Sequence, residues 1–386
     1  MPAPMEFVSC VEEELTRAGF SHFGFSALER PLSMDLYREW IRDGRHAGMD
    51  YLERHADLKE SPASFMPRAQ TAIVVARPYF PHPYPQPYGA LDFSARIALY
   101  ASGEDYHFHF RRELEEVAAN LRRVFVNQEF LCFTDSAPIL ERDLAYRAGL
   151  GWIGKNTCLI HPKKGSLFFL GQILTSVNLS SVDMEDAQTS PIPDLCGTCD
   201  RCLRACPTQA LVAPRTLDAN KCISYWTIEA KADASLELRT QIGDWFFGCD
   251  ICQTVCPWNE KLHGKAEMQK LSVAATTLTQ TPTHALRPKP ERESAHAQEP
   301  VRANAESTST DRLIDDLRWV LTSSSRQIQK RFHGLPLLRA RARGLKRNAL
   351  YVAGNLRLAA LRPEIELAQQ DPRLKEVATW ALGRLA

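Results

Sequence analysis

Over residues 1–190 the apolar positions follow two rhythms in turn. Val8, Val11 and Leu15 fall on one helical face, and Gly19 follows as a stop. HFGFSAL reads as a strand, and TAIVVARPY (71–79) is a short continuous apolar run suited to a buried strand. EDYHFHFRRELEEVAANLRRVF returns to the helical period through Leu114, Val117, Leu121 and Val124, which predicts one long helix. EFLCFTD and SLFFLGQILTSV predict two more strands, with a helix near 140–149 between them. Helices and strands in alternation predict an α/β domain over 1–190.

Residues 191–262 change character: eight cysteines, tight Pro and Gly punctuation and little regular period. The stretch 263–310 is expected to be a flexible insert or linker. Its main part, 270–311, is rich in Thr, Ala, Pro and Glu and poor in apolar periodicity. From 311 to 386 the pattern is helical again. Leu374, Val377, Ala378, Ala381, Leu382 and Leu385 form a stripe, with Asp371 and Pro372 placed as N-cap and first-turn proline. NALYVAGNLRLAAL predicts a partner helix, and the pair resembles one unit of a HEAT-like repeat.

Composition is that of a soluble globular chain: 386 residues, 44% hydrophobic and 24% charged, enough for two or three domains. No apolar run is long enough to span a membrane. The start, MPAPMEFVSCVEEELTRAG, has no basic segment leading into an apolar one, so a cytoplasmic protein with reduced thiols is expected. The net charge of +1 hides an asymmetry. Residues 311–386 hold fifteen Lys and Arg against seven Asp and Glu, a balance of +8, and the rest of the chain carries −7. A basic C-terminal module points to an anionic partner.

The cysteines carry the most specific signal. Cys196, Cys199, Cys202 and Cys206 fall in a C-x2-C-x2-C-x3-C-P run. Short gaps wrap a loop around an iron–sulfur cubane, and the fourth cysteine of such a run serves a second cluster. GCDICQTVCP repeats the last three positions with Cys249, Cys252 and Cys256, and Cys222 in KCISYWTIE replaces the missing first. One 4Fe–4S cluster then takes Cys196, Cys199, Cys202 and Cys256, and the other Cys206, Cys222, Cys249 and Cys252. Zinc fits less well, because its sites use four ligands in two separated pairs. Cys10, Cys132 and Cys158 lie outside the array and read as small core residues.

A two-cluster relay preceded by a large α/β domain implies an electron acceptor there. The densest polar stretch is FTDSAPILERDLAYRAGLGWIGKNT (133–157). Asp135 stands at a strand end, where a partly desolvated carboxylate can have a raised pKa and donate a proton. Taken alone it also reads as a helix or turn cap, and Glu141 and Arg142 as an ordinary surface pair. GLGWIGKN lets backbone approach a bulky ligand but lacks the dinucleotide fingerprint.

DSAPILERDLAYRAGLGWIGKNTCLI, GSLFFLGQILT, the cysteine array with CISYWTIE, and GCDICQTVCPWN together resemble the epoxyqueuosine reductase family. The resemblance covers most of residues 1–262 and continues more faintly in the tail. It implies an α/β cobalamin-binding domain (1–190), a ferredoxin-like domain with two 4Fe–4S clusters (191–262) and a C-terminal α-helical HEAT-like module (311–386). It implies reduction of epoxyqueuosine to queuosine at the tRNA wobble position, the last step of queuosine synthesis. Electrons would pass through the clusters to cobalamin, and the aspartate of the DSAP motif, here Asp135, would donate the proton. Lys59, Tyr106, Asp135, Lys155, Asn156 and Ser224 are the expected cobalamin contacts. Lys59 stands where the family places an arginine. His107 and His161 are expected to be structural or surface residues, since the family does not rely on an axial histidine.

A tRNA substrate gives LRARARGLKRN (338–348) a role in phosphate contact, through Arg339, Arg341, Arg343, Lys346 and Arg347. Anticodon specificity would come from stacked bases, with Tyr225, Trp226 or Trp258 assisting near the clusters. A monomer served by an external low-potential electron donor is expected. Two other readings share these features. One is a cobalamin-dependent reductive dehalogenase, which commonly carries an export signal. The other is a ferredoxin-type electron-transfer module without a cofactor in its first domain.

Overall fold

The computed structural model describes residues 4–61, 64, 66–80, 93–179, 191–272 and 309–385. Helix α1 (Pro4–Arg17) buries Phe7, Val8, Val11 and Leu15, and Gly19 ends it with a φ of +77°. Strand β1 (Phe23–Ala27) follows, then three short helices, α2 (Met34–Arg42), α3 (Asp50–Arg54) and α4 (Ala56–Glu60), and strand β2 (Thr71–Pro78). After β3 (Arg96–Ile97) come the long helix α5 (Tyr106–Val124), β4 (Phe130–Phe133), α6 (Glu141–Arg147), the short strands β5 (Trp152–Ile153) and β6 (Leu159–Ile160), and β7 (Phe168–Thr175).

The main sheet has the order β1-β2-β7-β4, and every neighbouring pair is antiparallel. The alternation of helix and strand therefore does not build the parallel, doubly wound sheet that such a pattern usually gives. Central strand β2 explains the continuous apolar run. Ile73 and Val75 face one core with α1 and α5, while Ala72, Val74 and Ala76 face another with α6. Period two thus serves two faces at once. Helix α5 packs Phe110, Leu114, Val117 and Leu121 onto the sheet, and Gly171 of β7 lets it approach. A Cβ there would meet Leu114 at 2.6 Å. On the other face, a Cβ at Gly24 of β1 would meet the Ala148 carbonyl at 2.1 Å, so α6 also sits close.

The third core does not respect the sequence segments. Phe93, Ala95 and Ala101 pack with Ile223, Trp245, Phe246 and Phe247 and with the tail helices. Strand β3 pairs in parallel with Trp245–Phe247, and the Arg96 guanidinium lies 3.9 Å from the Trp245 ring centroid. The tail contains helices Ser309–Thr322, Ser325–Arg331, Arg341–Asn355, Arg362–Ala368 and Lys375–Arg384. The last begins after Leu374, not at Asp371. Asp371 instead accepts the Arg373 N–H at 2.9 Å, closing a local turn. Of the expected insert, Lys265–Ser272 is helical, and residues 273–308 lie outside the described residues. Among the described residues no helix is long and apolar enough to cross a membrane.

Helix Arg341–Asn355 is fastened to a π-helical turn, Tyr225–Glu229, in the cysteine-bearing segment. Arg347 donates to the carbonyls of Trp226 (2.5 Å), Ala230 (2.7 Å) and Ala232 (2.7 Å). The Asn348 amide donates to Thr227 and Phe246 carbonyls, and the Tyr351 hydroxyl accepts the Ala234 N–H. π-Turns leave carbonyls out of the ordinary helical ladder, and here side chains of the tail satisfy them.

Candidate active site and cluster centre

Asp135 follows β4 in a left-handed conformation, φ +48°. Such a conformation costs a residue with a Cβ roughly 1–2 kcal/mol, and aspartate visits it more readily than most. Its Oδ2 accepts the Tyr106 hydroxyl at 2.5 Å and lies 3.7 Å from Nε2 of His107. Both partners come from the first turn of α5, which Asp105 caps by accepting the His107 N–H. The side chain of Asp135 is nevertheless 63% exposed, so it stands at an open recess. Surrounding protein opposes its charge, but the bonds from His107 and Tyr106 and the charge of His107 outweigh this. Solvent at the open face weakens the burial penalty further, and the carboxyl is held below the usual carboxylate range. This corrects the expectation of a raised pKa: desolvation at the strand end is met by two donors.

His107 lies between two carboxylates, Asp105 and Asp135. Its Nδ1 is 2.6 Å from Oδ1 of Asp105. Burial disfavours its charge, but the hydrogen bonds and charges of Asp105 and Asp135 prevail and push it up to about 9. The imidazole is therefore protonated at neutral pH. His161, in contrast, packs edge-on against His22 with ring centroids 3.9 Å apart.

Glu141 and Arg142 do not pair with each other. Glu141 Oε1 accepts the backbone N–H of Asp135 at 2.7 Å, and Arg142 donates to the Thr157 carbonyl. Burial, then the Asp135 charge, push Glu141 above the usual carboxyl range, against the pull of Lys59 and Arg142. Lys59 is only 8% exposed, with Nζ 3.5 Å from the Ile139 carbonyl. Two carboxyls with environments that drive their pKa values apart divide the roles of charged and protonated group. Sequence reading did not place His107 and Glu141 beside Asp135. The D-x-H spacing of Asp105 and His107 at a helix start was a usable signal for the first. Nothing local signals the second, because its partner is a backbone group six residues away.

Thiols of the array act on one another and are shaped by burial. Burial pushes the Cys202 thiol up, and Cys196 and Cys199 add to it. Cys256 is pushed up to about 11 by burial, with Cys158 and Cys196 contributing. Burial also raises Cys222, with Cys206 beside it, and Cys249, with Cys222 beside it. Cys252 is raised by its hydrogen bond with Cys158, by burial, and by Cys249 and Cys222. Each of these neighbours lies within one of the expected ligand sets, except Cys158, which acts on both Cys252 and Cys256. Cys158 is not a plain core residue: it stands beside Cys252. Thiols held protonated in this way must release protons when iron binds. Cys132 is buried in the α1–α5 core, and Cys10 packs at its edge.

Other expected site residues serve the frame. Asn156 is buried, and its amide is consumed: Oδ1 accepts the Cys158 N–H and Nδ2 donates to the Cys252 carbonyl. It ties the glycine-rich loop to the cysteines. Lys155 donates to the Gly197 carbonyl at 2.7 Å, a second such tie. Ser224 sits at the start of the π-helical turn with its hydroxyl at the Cys222 thiol. In the basic run, Arg347 is 0% exposed and cannot meet phosphate, because its guanidinium clamps the π-turn. Arg343 is held by Asp233 and by the Lys231 and Arg373 carbonyls. Arg339 pairs with Glu229 at the rim of the Asp135 recess, where its charge also acts on Tyr51 and Asp135. Arg341 is exposed and Lys346 half-buried.

The recess continues along the outer face of α5. His107, Phe108, Arg111, Arg112, Glu115 and Ser136 line a hollow of about 400 Å³. Phe108 is 69% exposed, and Phe108, Arg111, Arg112 and Glu115 share one helical stripe. An aromatic ring and two exposed arginines therefore border the loop that carries Asp135.

Residues 59–136 match the family model described as Epoxyqueuosine reductase QueG, DUF1730. Residues 195–259 match the 4Fe-4S double cluster binding domain, so this segment is a two-cluster iron–sulfur domain. An epoxyqueuosine reductase of Pseudomonas aeruginosa is 38% identical over 259 residues, 67% of this chain and 70% of the relative. Another, of Cellulophaga algicola, is 35% identical over 257 residues, 64% of this chain and 78% of the relative. Among solved structures, an epoxyqueuosine reductase with a tRNA-Tyr epoxyqueuosine-modified stem loop aligns with a TM-score of 0.75 and 25% identity. It covers 99% of this chain and 91% of that one. A Bacillus subtilis epoxyqueuosine reductase, solved with its catalytic aspartate loop swung out of the active site, aligns with a TM-score of 0.72 and 25% identity. The alignment covers 97% of this chain and 90% of that one. The chain belongs to the epoxyqueuosine reductase family.

Proposed function

We propose that this protein reduces epoxyqueuosine in tRNA to queuosine, with Asp135 delivering a proton at an open recess fed by two iron–sulfur clusters. The observation that carries the reading is the Asp135 carboxylate, held by Tyr106 and His107 with one face open. Opening the epoxide to an alkene breaks two C–O bonds, consumes two electrons and two protons, and releases the oxygen as water. Asp135 rests ionised, so it must first receive the proton it delivers. His107, charged at neutral pH and 3.7 Å away, is placed to supply it, and Asp105 then steadies the imidazole. Tyr106 orients the carboxylate throughout.

Cys196, Cys199, Cys202 and Cys256 would hold one cluster, and Cys206, Cys222, Cys249 and Cys252 the other, reduced by an external low-potential donor. When bound, cobalamin supplies the reducible metal centre that meets the epoxide. The open face of Asp135 suits a bulky group. Tyr106, Asp135, Lys155, Asn156 and Ser224 are the side chains that would hold it, with Lys59 behind and backbone doing the rest. RNA contact falls to Arg341, Lys346 and Arg339, and to the stripe of Phe108, Arg111 and Arg112. There a base can stack and phosphates can be neutralised.

The test is anaerobic incubation of the cluster- and cobalamin-loaded protein with an epoxyqueuosine-modified stem loop and a low-potential reductant. Nucleoside mass spectrometry should show loss of one oxygen. Intact epoxyqueuosine after incubation with the fully loaded protein would overturn the reading.

A further inference from the structure

We infer that Glu141 is a positioning residue whose carboxyl group latches the Asp135 loop in the orientation that faces the recess. The inference rests on the reading of Asp135 as the proton-delivering group. Asp135 holds a left-handed φ of +48°, which its own sequence does not enforce: the following residues are Ser136, Ala137 and Pro138. Its side chain bonds Tyr106, but a side chain can rotate without moving its backbone. The bond from the Asp135 N–H to Glu141 Oε1, 2.7 Å, fixes the peptide itself. Glu141 is anchored in turn at the first position of α6, whose Leu144 and Ala145 are packed under β2. The latch therefore joins a short loop to a fixed helix.

Its surroundings fit that work. Lys59 from α4 and Tyr106 from α5 face the same pocket, and Arg142 is turned away to the Thr157 carbonyl. Glu141 accepts the N–H as either carboxylate or carboxylic acid, so the latch needs its oxygen and reach, not its charge. The Bacillus subtilis relative was solved with its catalytic aspartate loop swung out of the active site. In this chain the corresponding aspartate bonds Tyr106 through its side chain and Glu141 through its backbone N–H.

The experiment compares wild type with Glu141→Ala, Glu141→Asp and Glu141→Gln in the loaded protein. Two quantities are read: hydrogen exchange of the peptide containing Asp135, and kcat and KM on the modified stem loop. Glu141→Ala should speed exchange of that peptide about tenfold with no change in the β2 and β7 peptides. It should also lower kcat by about 10–100-fold with KM within about twofold. Glu141→Gln keeps an acceptor oxygen at the same reach and should restore both. Glu141→Asp, one methylene short, should resemble alanine. Wild-type exchange in both Glu141→Ala and Glu141→Asp would overturn the inference. So would a Glu141→Gln variant as slow as alanine with its loop still protected, since charge would then be the requirement. If Glu141→Ala unfolds, the contrast between Gln and Asp decides. A wild type that leaves epoxyqueuosine unchanged defeats the functional reading, while the exchange measurement still decides the latch.

Discussion

Nδ1 of His107 lies 2.6 Å from Oδ1 of Asp105, and the bond keeps a positive charge behind the Asp135 carboxylate. The His107 resonance should therefore titrate near about 9, and Asp105→Asn should bring it down towards the free imidazole value of about 6.5. The sign for stability follows. A raised histidine pKa contributes stability that is full below about 6.5 and is lost as pH rises through about 9. Denaturation midpoints measured across that window should fall for the wild type and fall less for Asp105→Asn. A midpoint that rises with pH in both proteins would refute the pairing.

Asp135→Asn preserves the size of the side chain and removes the titrating group. Proton transfer by a placed side chain is worth about 10²–10⁴-fold, so turnover of the modified stem loop should drop by roughly that factor. Binding of the stem loop, measured by anisotropy, should stay within about twofold, since a carboxylate does not attract an anionic ligand. Full turnover in the variant would remove Asp135 from the chemistry.

Arg347 and Arg341 are six residues apart and should behave as opposites. Arg347→Ala strips three carbonyls of their charged donor in the interior. At about 1.5–3 kcal/mol for each hydrogen bond to a charged group, the effects not simply additive, thermal unfolding should shift down by several degrees. Arg341→Ala should leave the melting temperature unchanged and flatten the salt dependence of stem-loop binding by about 0.7–0.9 in slope, one phosphate contact. If Arg347→Ala altered the salt slope alone, the clamp would be the wrong description.

The two cysteine groups make a combinatorial prediction. Cys256→Ser and Cys199→Ser should each lower iron from about eight to about four per chain. Their double variant should do no worse, because both substitutions strike one cluster. Cys256→Ser with Cys222→Ser should lose both. Iron analysis of anaerobically reconstituted protein gives the count, and a double variant of the first kind that retains no iron would break the assignment.

What could be read in the chain was what is local. The TAIVVARPY run became β2 because a strand buried on both faces has no polar side to show, but antiparallel pairing depends on partners far away in the chain, in β1 and β7, and leaves no mark in the run itself. The two-cluster character of 195–259 was legible because ligand spacing is a loop property. Arg347 was misread because it sits in a run of surface-like arginines. The corrective signal was there: Gly344, Asn348, Tyr351 and Val352 recur three and four apart and turn that face of the helix inward. Asp135 was legible through its motif, whereas the sense of its pKa was not, since Tyr106 and His107 reach it only in the folded state.

The core common to Phe93, Trp245–Phe247 and the tail helices has a practical consequence for anyone dissecting this protein. Deleting the C-terminal helices would strip a wall from the compartment that frames Cys249 and the turn after Cys222. A truncated chain would then lose its iron although every ligand is still encoded, and the loss would be mistaken for evidence of a ligand in the tail.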